Sequence, residues 1–80
     1  MEELIGKITD DGYFVEVDDG RKFSLPVRGT DGDGYPEVLI DASSVGGDGD
    51  FYRQSSKPYI GMLVIFLTNN GKHGYNFLII

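Results

Sequence analysis

Apolar and polar positions alternate in short runs along this chain, and no stretch sustains a helical period. Leu4–Thr9 reads as a first strand, turned by Asp10-Asp11-Gly12, and Asp-Gly is a strong hairpin signal. Tyr13–Val17 is the second strand, and Asp18-Asp19-Gly20 turns the chain again. Arg21–Val27 is the third, with Pro26 marking an edge or a bulge late in it. An acidic, glycine-rich loop, Gly29–Pro36, leads to a short apolar run, Val38–Ile40. Residues 42–58, ASSVGGDGDFYRQSSKP, read as polar and irregular, with one short helical turn. Ile60–Leu67 and Tyr75–Ile80 are closing strands joined by the turn in LTNNGKHGYNF, residues 67–77.

Side chains alternate across a strand, so each strand can be sorted into two faces. Tyr13, Val15 and Val17 share the expected core face of the second strand, and Phe14, Glu16 and Asp18 share the other. In the third strand Phe23, Leu25 and Val27 are expected inside, with Lys22, Ser24 and Arg28 outside. The closing strand breaks the pattern. Met62, Val64 and Phe66 lie on one face and Leu63, Ile65 and Leu67 on the other, and both are apolar. A solvated outer face should be polar, so Leu63, Ile65 and Leu67 are expected to pack on another subunit or under residues 42–58.

Five or six short strands call for a small barrel, because closure removes unprotected sheet edges. A three-strand meander, a long irregular connection and a final hairpin favour an OB-like barrel over an SH3-like one. Residues 1–80 are read as a single domain. A chain of 80 residues buries only about 60–65% of the surface that its unfolded form exposes, so external ligands fit it better than enclosed ones.

Charge changes the picture more than size does. The net charge is −6, yet residues 1–50 carry all 13 acids with four cations, a balance of −9. Residues 51–80 carry Arg53, Lys57 and Lys72 and no acid, a balance of +3. Overall acidity opposes long-range attraction to nucleic acid, but charge is screened beyond about 10 Å, which leaves room for a local basic patch. There is no cysteine, hence no disulfide, thiolate metal site or cysteine nucleophile. MEELIGK lacks the basic start and apolar core of a signal peptide. The longest apolar run, Met62–Leu67, is far short of the ~20 residues of a membrane span. The chain is read as soluble and cytoplasmic, with no membrane partner.

Little here suggests catalysis. No nucleophile elbow, zinc motif or carboxylate pair across a cleft is visible, and His73 has no partner at a meaningful spacing. Aligning Asp33-Gly34 with the fifth and sixth positions of a calcium loop puts Gly29 and Ile40 at its ends, where ligands are required. No enzyme, cofactor or metal site is expected. Phe51–Tyr59, FYRQSSKPY, interleaves aromatic and basic side chains, the composition of a single-strand platform with rings for bases and cations for phosphates. It equally suits a loop that plugs the end of a barrel.

The order of these pieces resembles cold-shock domains and the ribosomal-type RNA-binding OB repeats. Gly6-Lys7-Ile8 is similar to the family's opening, and Asp11-Gly12-Tyr13-Phe14-Val15 to a reduced first RNA-binding motif. Val38–Ser43 is similar to the second motif, and Gly61–Phe66 with Gly71-Lys72-His73-Gly74 to the closing hairpin. Asp11 stands where the first motif has lysine, and Leu39 and Asp41 replace the phenylalanine and histidine of the second. The resemblance implies an OB barrel that binds single-stranded nucleic acid on the face carrying Phe14 and Lys22. The expected contact comprises Phe14, Lys22, Arg53, Lys72 and Tyr75, with Tyr52 and His73 beside it. The alternative is a protein-interaction module, homo-oligomeric or partner-binding, that keeps the barrel without the nucleic-acid surface.

Overall fold

Three hairpin turns, each built around an aspartate, set up the chain path seen in the computed structural model, which describes residues 2–41, 51–69 and 71–80. At the first turn Gly12 N–H donates to the Thr9 carbonyl and takes φ +80°, a backbone region open chiefly to glycine. The strands are β1 (Glu2–Ile8), β2 (Phe14–Val17), β3 (Lys22–Ser24), β4 (Val27–Thr30), β5 (Pro36–Asp41), β6 (Phe51–Ser55), β7 (Leu63–Thr68) and β8 (Gly74–Ile79). A 3₁₀ turn spans Lys57–Tyr59. No helix among the described residues is long and apolar enough to cross a membrane.

β1 pairs antiparallel with β2 on one side and β7 on the other, β2 pairs with β3, and β7 with β8. The ring then closes through a parallel bridge between Ser24 at the end of β3 and His73 just before β8. A meander followed by a returning hairpin, with a parallel contact between third and last strands, is an OB-like barrel and not an SH3-like one. β4, β5 and β6 form a small antiparallel appendage, tied to the barrel by a parallel contact between Asp41 and Leu78.

Eight strands replace the expected five or six, for two reasons. Pro26 has no N–H, so the run Arg21–Val27 cannot stay paired with one neighbour. Leu25 N–H still donates to Tyr13 of the meander (3.0 Å), but the next carbonyl, that of Pro26, accepts from Leu39 of β5 (3.3 Å). This change of partner resets the alternation. Val27, expected in the core, is 43% exposed. The second reason is Phe51–Ser55, expected to be irregular, which pairs along β5 from Glu37↔Ser55 to Asp41↔Phe51. Polar side chains hid that strand. Tyr13 also departs from expectation: it belongs to the turn, its N–H held by the Asp11 carboxylate, and its side chain is exposed.

The core comprises Ile8, Val15, Val17, Phe23, Leu25, Val38, Ile40, Val64, Phe66, Phe77 and Ile79, all buried. Phe66 lies at its centre, tilted against Phe23 (centroids 5.4 Å apart) and stacked on Phe77 (5.1 Å). Each such pair adds about 0.5–1.5 kcal/mol beyond area burial. Gly74 makes room for these rings, since a Cβ there would sit 2.7 Å from Phe66 Cδ2 and collide with Phe77.

Candidate nucleic-acid interface

The Ser24–His73 closure also assembles a surface. Ser24 N–H donates to the Lys72 carbonyl at 2.7 Å. Ser24 Oγ and His73 Nδ1 share a hydrogen bond of 2.5 Å, the hydroxyl donating when the ring proton sits on Nε2. Thr68, buried at the end of β7, donates its hydroxyl to the His73 carbonyl at 3.0 Å and fixes the turn from beneath. Directly across β2 from Ser24 stands Phe14, 37% exposed. Lys22 lies two residues before Ser24 on the same face, opposite Glu16.

Four of the seven expected contact residues (Phe14, Lys22, Lys72 and His73) therefore gather around Ser24 from three separate segments. Lys22 and Lys72 share a depression of about 350 Å³ with Arg21 and Glu2. Arg21 is committed elsewhere: its guanidinium bonds the Asp19 carboxylate at 2.7 Å, lies 3.6 Å from Glu2, and covers the Phe23 ring at 5.5 Å. No ion pair engages Lys22 or Lys72 among the described residues. Tyr75, 49% exposed, lines a second depression of about 300 Å³ with Pro26 and Leu39, beyond the bridge. Tyr52 and Arg53 fall on β6 by register, and their side chains lie outside the described residues.

The opposite rim carries Asp10 and Asp11, which line a depression of about 450 Å³ with Lys7, Glu16 and Lys22. Asp11 is not an idle acid. Its Oδ1 accepts from the Thr9 hydroxyl at 2.6 Å and from Tyr13 N–H at 2.9 Å. The Thr9 hydrogen bond, then the Tyr13 N–H, with a smaller contribution from the Lys22 charge, hold its carboxyl below the ordinary aspartate value.

Sequence reasoning missed Ser24 as a partner of His73, because the two are 49 residues apart. The Ser–His pair has a nucleophile and a base within reach, but among the described residues no carboxylate is bonded to the imidazole to orient it. The pair acts as a clasp between strands. A chain with this fold and surface is a small OB-like barrel with a mixed basic and aromatic seam. No family model, curated protein or solved structure matches it.

Proposed function

We propose that this protein is a non-enzymatic, cytoplasmic OB-like module that binds single-stranded nucleic acid weakly along the β2–β3–β8 seam. The observation that carries the reading is the convergence of Phe14, Lys22, Lys72 and His73 around Ser24. Phe14 offers a ring for base stacking, worth about 1–3 kcal/mol, and the two lysines offer charge to phosphates. Glu16 opposite Lys22, and Asp10 on the far rim, keep affinity low. The cold-shock resemblance supports the same face.

Fluorescence anisotropy with a labelled oligothymidine at low salt tests this. The expected Kd is micromolar or weaker and rises steeply with added salt. Phe14→Ala should weaken binding at least about fivefold through lost stacking, and Lys72→Glu should weaken it through charge. Asp10→Lys should strengthen it. Asp10 is the acid to reverse, because Asp11 holds the turn. Absence of binding by both the wild type and Asp10→Lys would overturn the reading.

A second reading, a protein-interaction module, is favoured by the apolar outer surface of β1, β7 and β8, whose exposed centre, Ile5 and Leu63, is not among the expected nucleic-acid contacts.

A further inference from the structure

The outward positions of β1, β7 and β8 form an apolar patch that the seam does not use. Ile5 (53% exposed), Leu63 (48%) and Ile80 (60%) stand furthest out, with Ile65, Leu67 and Leu78 half-buried beside them. Register makes the patch continuous: Ile5 lies opposite Ile65 across β1 and β7, and Ile65 opposite Leu78 across β7 and β8. Three branched aliphatic side chains thus cross three adjacent strands in one row. Residues 51–55 run along β5, on the far appendage, and residues 42–50 of the cover that the sequence suggested lie outside the described residues. An apolar patch continuous across three strands is often functional even at the size found on monomers.

The charges around the patch say which one. The outward row of β1 reads Glu3, Ile5, Lys7. Glu3 lies opposite Leu67 and Lys7 opposite Leu63, so unlike charges sit at the two ends of an apolar centre. A second copy rotated by 180° about an axis through Ile5 and Ile65 brings its own Glu3 over Lys7 and its Lys7 over Glu3. The patch complements itself in the isologous manner of two-fold dimers. We propose that this face docks a second copy of the same chain, antiparallel, with Ile5, Ile65 and Leu78 at the centre and two Glu3–Lys7 pairs at the rim.

The size of the patch sets the affinity. Three strands about 4.8 Å apart and six residues rising about 3.4 Å each give a footprint of roughly 300 Å². That is well short of the ~800 Å² per partner in a standard complex, so the dimer is weak and transient.

Sedimentation equilibrium of the full chain, from low micromolar to about 1 mM, tests this, with thermal melts confirming that each variant folds. The wild type should pass from monomer to dimer, and Ile5→Ser should remove most of the dimer. Glu3→Lys alone and Lys7→Glu alone should each weaken it roughly three- to thirtyfold, since each turns two attractive rim pairs into repulsive ones. The double reversal should restore wild-type association. An equimolar mixture of the two single variants should associate better than either alone, because both crossed pairs then attract. A mass fixed at the monomer value across the range would overturn the proposal and leave the face to a different protein. Dimerisation indifferent to the charge reversals would overturn the two-fold arrangement. Loss of nucleic-acid binding by Phe14→Ala should leave the dimer unchanged, which keeps this surface distinct from the seam.

Discussion

Three acidic turns and one basic turn close hairpins of the same small fold, and they do so by opposite means. In the acidic turns a carboxylate grips the backbone two residues ahead: Asp11 accepts from Tyr13 N–H, Asp19 from Arg21 N–H at 3.0 Å, and Asp31 from Asp33 N–H at 2.8 Å. Such Asx turns are local, and Asp31 also engages the Ser55 hydroxyl of β6. The turn before β8 has no acid. It is held from outside, by Ser24 on one side and Thr68 on the other. Three of the 13 acids are therefore structural, whereas the Lys72–His73 turn leaves its side chains on the surface. Net charge is a poor guide to which face of this barrel meets a ligand.

The largest effect should come from the glycine of the first acidic turn. Gly12 has φ +80° and faces Ser56, whose buried hydroxyl a Cβ at position 12 would strike. Gly12→Ala combines backbone strain of about 1–3 kcal/mol with overpacking of about 1–3 kcal/mol, so urea denaturation should show a loss of about 2–6 kcal/mol. Ser56 Oγ has no hydrogen-bond partner among the described residues, so Ser56→Ala alone should be nearly neutral. In that background Gly12→Ala should recover the overpacking share and keep the strain. A full recovery would show that φ is not strained. Gly74→Ala, in the basic turn, has overpacking against Phe66 and Phe77 without positive φ. It should cost about 1–3 kcal/mol. If Gly74→Ala proves the more damaging, the ring stack and not the acidic turn is the least tolerant point of the barrel.

A smaller effect separates the turns by pH. Asp11, Asp19 and Asp31 all titrate below the ordinary aspartate value. The leading causes are the Thr9 hydroxyl for Asp11, the Arg21 N–H for Asp19 and the Ser55 hydroxyl for Asp31. A lowered folded-state value means that the unfolded chain binds more protons near pH 4. The stability these groups supply is whole above the unfolded value of about 3.9 and is lost as pH falls through the folded values. Melting temperature should be flat from neutral pH to about pH 5 and fall below pH 4. Replacing all three with asparagine, which keeps a carbonyl acceptor, should flatten that fall. An unchanged acid limb would place its origin in other carboxylates.

The same contrast explains what could be read from the chain. The β1–β2–β3 meander was legible because its turns are local: Asp-Gly sits between alternating runs, and nothing distant is needed to close them. The apolar outer positions of β7 were equally visible, since Leu63, Ile65 and Leu67 violate alternation within one strand. Pro26 signalled an edge or a bulge late in its run but not the change of partner, because losing one N–H matters only once β5 offers a new one. β6 was hidden by its polar sequence, which pairs only because β5 lies beside it. The clasp at His73 depends on Ser24, and a separation of 49 residues carries no local signal. Phe14 and Lys22 are exposed, as strand alternation expects. Their approach to Lys72 and His73 is a product of barrel closure.

The smallest expected effect is the response of the Gly29–Pro36 loop to calcium. Its acids look available in the sequence and are engaged in the fold. Asp31 Oδ1 accepts from Asp33 N–H at 2.8 Å and from Tyr35 N–H at 2.9 Å. Asp33 Oδ2 meets the Lys57 ammonium at 3.3 Å, and that ammonium also lies 5.5 Å from the centre of the Tyr35 ring. A calcium ion would have to displace a cation and compete with two backbone donors, for fewer oxygens than the six to eight it prefers. The melting temperature at millimolar calcium should therefore match that at millimolar magnesium. A site filled at a hundredfold excess over its Kd would stabilise by about 2.7 kcal/mol. In a domain of this size that is a rise of roughly 10–20 °C, too large to miss. A calcium-specific rise of several degrees would mean that the loop opens to release Asp31 and Asp33. The acidic turns would then be ligand sites, and the basic turn would lose its claim to be the exceptional one.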